Sequence, residues 1–489
     1  MQILKPLVIA ALVGFLPVML TAKRPEEPKG KAGLEQAIRA MKQDTVFQNA
    51  IVGLMVTDEK GREVVSWNPD LPLLTASTMK TITTGLSLLE MGPDYQYTTR
   101  IAYSGTVTKG TLYGNLYIIG GGDPTLGSRD SIAAPIDSVF GYWANVMKTK
   151  GIHRINGQIV ADDRFFTHEV MPESWSWGNM GASYGAGPSG LTFYENSFSA
   201  MLYPGIKEGE PVAIRRYYPD FPQLQIDNQM KTGTPRSRGG ASVAGSDLSP
   251  ILQLSGTLPQ RDSISLSGAN KFPALGCAWQ FDRFLNAQGI ATTASVRMYD
   301  AATDQALSLT PVAEWQSAPL KDIIYVTNHI SNNLYAETLL KTLGRSRTGV
   351  GAYDSASVAV SRMLRELELP HRGFTQADGS GLSRQNYVSA RFFCAFYNKL
   401  KDSPIFKEYF NSFPVPGSEG TLKSVITKAP HKERLHAKSG SLANVRCYAG
   451  YVETEQGLYT FAIMVNNYSA PTNRVQPKVE QFLQALTEI

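Results

Sequence analysis

Apolar positions along the chain follow two rhythms, and the rhythm changes twice. Residues 34–41 carry apolar side chains at helical spacing. Residues 50–58 and 63–67 alternate around Glu59-Lys60-Gly61, which predicts a two-stranded hairpin. Ile82, Leu86 and Leu89 then form one apolar face of a helix. It begins near Thr75 or Ser77, either a candidate N-cap, and stops near Met91-Gly92-Pro93. From about residue 98 short alternating runs take over, at 97–104, 110–119 and 154–161, with one amphipathic helix at about 138–150. Residues 212–300 continue β-rich, with a loop at 231–240 and a helix at 277–289. After about residue 307 helical patterns return, at 320–343 (broken near 329–332), 353–367 and 390–401. Alternating runs at 435–438, 443–453 and 458–465 and a helix at 477–487 close the chain. The first and last parts, 23–98 and 301–489, are therefore expected to form one α/β domain, with 99–300 as a β-rich insertion.

Length supports this division, because 489 residues exceed one ordinary core. A 43% hydrophobic, 18% charged composition argues against disorder. The net charge of +5 is spread without long basic runs, which suits an anionic envelope and gives no reason to expect nucleic acid. Residues 1–5 carry one lysine and 6–20 are mostly apolar, so 1–22 reads as a signal peptide. An uncleaved anchor fits less well, since the segment is short for a span and holds Pro17. Periplasmic residence follows as an expectation, with peripheral envelope association open. Cys277, Cys394 and Cys447 are an odd number, far apart, and read as small buried hydrophobes. The six histidines show no ligand spacing, so no metal or cofactor is expected.

Candidate chemistry begins at Ser77-Thr78-Met79-Lys80. Residues three apart share a helix face, so Lys80 can reach back to Ser77 and take its proton if burial keeps the amine neutral. A Ser-x-x-Lys alone is met by chance about twice in a chain this long. Two further elements change its meaning. Ser331-Asn332-Asn333 lies at a helix junction, and Lys438-Ser439-Gly440 at the end of a predicted strand. Ser331 can shuttle a proton to a leaving amine, and Asn333 can hold Lys80 and a substrate amide. Lys438 adds positive charge that keeps Lys80 deprotonated. Ser439 offers a hydroxyl to a carboxylate, and Gly440 lets a substrate backbone lie along the strand. The N–H groups of Ser77 and Ser441 are the expected oxyanion donors. Lys231-Thr232-Gly233 and Ser66-Trp67-Asn68 repeat two of these patterns, the first in a predicted loop and the second ahead of Ser77 in a strand. Gly120–Gly122 and Gly185–Gly190 lack the context of phosphate loops and read as turns.

These three elements resemble the motif set of the penicillin-recognising serine enzymes. The runs Gly114-Asn115-Leu116-Tyr117, Gly120-Gly121-Gly122-Asp123-Pro124-Thr125-Leu126, Asp378 to Arg384, and Lys438-Ser439-Gly440-Ser441-Leu442 narrow the resemblance to the class C low-molecular-weight penicillin-binding proteins. That resemblance implies a transpeptidase/β-lactamase-like α/β (α+β) domain with a central antiparallel sheet flanked by helices, plus two inserted β-rich domains. It implies D-Ala-D-Ala carboxypeptidase or endopeptidase work on peptidoglycan peptides, with β-lactams as covalent inhibitors. Ser77 is then the acyl-enzyme nucleophile, Lys80 its base, and Arg384 an arginine near the pocket for the stem-peptide side chain. Ser439 for the commoner threonine and Ala443 for a polar residue are departures. Glu169 or Asp163, with Trp175 and Trp177, are candidates to reach over the cleft, and Asn196 reads as a turn residue. A β-lactamase, another serine hydrolase and a non-catalytic peptidoglycan-binding protein are the alternatives on the same motifs. Oligomeric state is open.

Overall fold

The computed structural model describes residues 29–220, 223–246, 248–260, 263–293, 295–369 and 371–489. The segment read as a signal peptide lies outside them. Among the described residues no helix is long and apolar enough to cross a membrane.

Five antiparallel strands form the central sheet, in the spatial order Glu63–Trp67, Ile51–Thr57, Gly457–Asn466, Val445–Thr454, Leu435–Leu442. Chain start and chain end therefore meet in mid-sheet, where Ile51–Thr57 pairs with Gly457–Asn466. Both faces are covered, so the inner strands Ile51–Thr57 and Gly457–Asn466 are buried along almost their whole length rather than on one face alone. Alternation still sorts them: Phe461, Ile463 and Val465 face the helices Gly30–Gln43 and Thr472–Thr487, while Ala462 and Met464 face the other way. That second face packs on the helices Met79–Met91, Asn333–Thr348, Tyr353–Glu366 and Ala390–Lys401. Cys394 and Cys447 are buried thiols in this layer, and Cys277 is one in the insertion.

Between these halves lie two further cores. One gathers Ile118, Phe140, Trp143 and Phe281 between a mixed five-stranded sheet and the helices Ile136–Thr149 and Pro273–Ala287. It is as much helical as β. The other gathers Phe198, Leu202, Met230 and Leu254 between a three-stranded and a four-stranded sheet.

Three expectations need correction here. Thr310–Gln316, beyond residue 307 where helical patterns were expected to return, is instead a strand that pairs with Thr98–Tyr103 in the first inserted sheet. Pro311 and Glu314 hid that strand's alternation. Lys231–Gly233 is a short strand and not a loop; pairing with Thr257–Pro259 supplies the ladder that its own composition does not favour. It belongs to an inserted sheet, away from the central one. Finally, the strand expected to end at Lys438 runs on to Leu442, which places Lys438-Ser439-Gly440 inside the edge strand.

Candidate active site

Ser77 sits in the single turn Ala76–Thr78 that feeds the helix Met79–Met91. Neither Thr75 nor Ser77 caps this helix through its side chain. The Thr78 hydroxyl donates back to the Thr75 carbonyl at 2.7 Å instead, so the helix start is left for another acceptor. Lys80, one turn on, is completely buried. Its Nζ donates to Ser77 Oγ at 3.0 Å, Asn333 Oδ1 at 2.7 Å and the Ser380 carbonyl at 2.8 Å. Burial pushes the Lys80 ammonium down to about 7, against the opposing pull of the Asp378 and Glu337 carboxylates.

Ser331 occupies the left-handed region, φ +64°, in the junction between the helices Leu320–His329 and Asn333–Thr348. Asn332 explains the break: its Oδ1 accepts the Tyr335 N–H at 3.1 Å and caps the second helix. Asn333 then begins that helix and faces Lys80, while its Nδ2 donates to the Tyr184 carbonyl of the inserted region at 2.8 Å. Ser331 Oγ accepts from Lys438 Nζ at 3.0 Å, so its cationic partner is Lys438 and not Lys80.

Lys438 is also fully buried, and its Nζ donates to the Ser439 carbonyl at 2.8 Å. Burial, then the charge of Lys80, holds it well below the ordinary lysine range. The repulsion expected to act on Lys80 thus falls chiefly on Lys438, because Asp378 and Glu337 compensate only the former. Ser439 joins the site through that carbonyl. Gly440 has a reason beyond substrate approach: a β-carbon there would lie 2.7 Å from the Thr75 carbonyl and 3.0 Å from the Ser77 nitrogen. The strand therefore rests directly on the serine turn. Ala437 N–H donates off the sheet edge to the Pro414 carbonyl, and alternation turns the Ser439 and Ser441 N–H groups to the same open edge. The Ser441 hydroxyl is held by the Arg446 guanidinium. Arg384 is exposed at the rim and donates to the Ala443 carbonyl at 3.2 Å.

The cleft itself, about 380 Å³, is lined by Ser77, Asn333 and Ser441, by Leu382 and Ala443, and by Asn179 and Tyr184 from the insertion. Glu169 and Asp163 do not line it. Glu169 is exposed, and its carbonyl accepts from Lys341 at 2.5 Å. Trp177 is 64% exposed, whereas Trp175 is buried and donates from Nε1 to Asp378 Oδ2 at 2.9 Å. Asn196 does serve a turn, accepting from Phe193 N–H and donating to the Gly187 carbonyl.

Two buried carboxylates were not anticipated. Asp378 accepts the N–H groups of Gly381 and Ser383 and the Asn386 amide, and so shapes the glycine-rich loop. Glu337 accepts Gly379 N–H at 2.9 Å and Ser380 N–H at 2.8 Å. Burial, then the nearby Asp378 carboxylate, raises Glu337 to about 8. The signal for Glu337 was present, since it follows Asn333 by four residues on one helix face. A hydroxyl against a buried, weakly basic amine, beside an open strand edge with two aligned N–H groups, can form and hydrolyse an acyl-enzyme.

Comparison with known proteins points the same way. A family model described as D-Ala-D-Ala carboxypeptidase 3 (S13) family matches residues 34–487. A D-alanyl-D-alanine carboxypeptidase of an Actinomadura species is 26% identical over 479 residues, covering 95% of this chain and 86% of that protein. The D-alanyl-D-alanine carboxypeptidase DacB of Haemophilus influenzae is 24% identical over 438 residues, with 86% of each chain covered. The crystal structure of penicillin binding protein 4 from Haemophilus influenzae superposes with a TM-score of 0.77 at 23% identity, over 90% of this chain and 97% of that one.

Proposed function

The chain belongs to the D-Ala-D-Ala carboxypeptidase 3 (S13) family, and from that premise we propose which residues carry its reaction. The enzyme is a serine-type D-Ala-D-Ala carboxypeptidase/endopeptidase, acting on peptidoglycan peptides through an acyl-enzyme and inhibited by β-lactams. Ser77 Oγ attacks the penultimate carbonyl as Lys80 Nζ takes its proton. The substrate backbone adds along the Leu435–Leu442 edge, which aims its carbonyl oxygen at the Ser77 and Ser441 N–H groups. The C–N bond breaks, and the leaving amine takes up the proton that Lys80 received from Ser77, which leaves Lys80 neutral for the second step. Water then attacks the ester with Lys80 again as base, releasing the shortened peptide. Lys438 holds Ser331, Ser439 receives the substrate carboxylate, and Arg384 faces the substrate side chain at the rim. In a β-lactam the leaving group stays tethered, so the ester persists.

The observation that carries this reading is the contact of fully buried Lys80 with both Ser77 Oγ and Asn333 Oδ1. We assign residues 23–97 and 317–489 to the catalytic unit and place the enzyme in the periplasm, where its substrate lies. Labelling with a fluorescent penicillin tests the assignment. The adduct is expected on the Ser77 peptide by mass and absent from Ser77→Ala. Labelling that survives in Ser77→Ala overturns it, and rapid turnover of the penicillin would make the chain a β-lactamase instead.

A further inference from the structure

Lys80 has three hydrogen-bond partners, and only two of them belong to the motifs. The third, the Ser380 carbonyl, is main chain, so something must hold that peptide in place. Glu337 does so from beneath. Its two carboxylate oxygens each receive one N–H, from Gly379 and from Ser380. The Ser380 residue thus bonds Glu337 through its nitrogen and Lys80 through its oxygen. Glu337 is wholly buried, and none of its bonded partners is a cation. A carboxyl placed so deep without an ion pair is costly to ionise, and burial keeps it largely protonated up to about pH 8. Among the described residues, Glu337 is the helical side chain that accepts both N–H groups.

We infer that Glu337 is a positioning residue for the acylation reaction, setting both the place and the basicity of Lys80 through the Gly379–Ser380 peptides. The inference rests on Lys80 being the base that activates Ser77. Charged and titratable groups face this pair from every side. They are Asp378 on the glycine-rich loop, Lys438 on the edge strand, Lys341 one turn along the same helix, and Tyr353 on the helix beneath. Of these, Asp378 and Glu337 are the carboxylates that favour a protonated Lys80. Glu337 becomes a carboxylate only above about pH 8, where its charge favours a protonated Lys80 and draws out the upper end of the base's titration. Replacing it removes a titration that overlaps that of the base.

The test is the pH profile of acylation by a fluorescent penicillin, measured on the full chain. In Glu337→Gln, the limb on which the rate rises with pH should sharpen to a single ionisation and reach its plateau at lower pH. The rate above that limb should fall about tenfold or more, because the amide NH2 opposes one of the two N–H donors and displaces the Ser380 carbonyl. A purely structural role would lower the melting temperature and leave the limb in place. Should Glu337→Gln fail to fold, Glu337→Asp carries the test. It keeps the charge but withdraws the carboxylate by one methylene, so the limb should stay while the rate falls about tenfold. A wild-type profile in Glu337→Gln, or a wild-type rate in Glu337→Asp, overturns the inference while leaving Ser77 and Lys80 in their roles. Loss of those roles is read separately, from labelling of Ser77→Ala.

Discussion

Lys80 lies closer to Asn333 than to Ser77: Nζ is 2.7 Å from Asn333 Oδ1 and 3.0 Å from Ser77 Oγ. The asparagine thus anchors the amine while the serine remains the looser partner, free to give up its proton. Because burial places Lys80 at about 7, its neutral form is reached as pH rises through that value. Acylation by penicillin should climb about tenfold per pH unit below about 7 and flatten gradually above it, where Glu337 also titrates. Asn333→Asp puts a carboxylate against the ammonium and favours the charged form. The limb should then move up by about one unit or more, which stopped-flow labelling across roughly pH 5–10 measures.

Two glycines press the serine turn from opposite sides. Gly440 lies on the edge strand, and Gly381 on the glycine-rich loop at φ +82°, where a β-carbon would overlap the Ala76 carbonyl. Gly440→Ala must push the strand away from Thr75 and Ser77, widening the space between the two oxyanion donors. We expect a fall of about a hundredfold in acylation rate. The stability loss should be only about 1–3 kcal/mol by urea unfolding. A variant with normal acylation would show that the strand's distance from the turn is not critical.

Trp175 ties the insertion to the catalytic loop through Asp378. Trp175→Phe keeps the ring's bulk and removes one donor from a carboxylate that retains three others. The cost should be about 1–3 kcal/mol, because the bond is buried and its acceptor charged. Acylation should slow with it, since Asp378 shapes the loop whose Ser380 carbonyl meets Lys80. Thermal melts and penicillin labelling of one preparation check both effects.

Much of this was legible in the chain. The Ser77, Ser331 and Lys438 motifs are short, local and chemically distinctive, and the helices and hairpins around them follow period 3.6 or period 2. What escaped had a physical reason. Thr310–Gln316 carries Pro311 and Glu314, and its strand character comes from Thr98–Tyr103 beside it. Lys231–Gly233 is likewise a strand only by virtue of its neighbour. Glu169 and Trp177 were plausible cleft residues by composition, but Tyr184 and Asn179 line it, because backbone course and not residue type decides what overhangs a site.

From the sequence alone came the identities: a serine, two lysines and an asparagine in the order and spacing of the penicillin-recognising enzymes, in a chain long enough for an inserted region. Local pattern suffices for that, because helix and strand periodicity are properties of neighbouring residues. Only the tertiary structure decided how those residues share charge. Burial of Lys80 and Lys438 in one site, the unequal help that Asp378 and Glu337 give them, and the pairing of Ser331 with Lys438 all arise between segments far apart in the chain. Desolvation and Coulomb forces depend on distance in space, which no local pattern encodes.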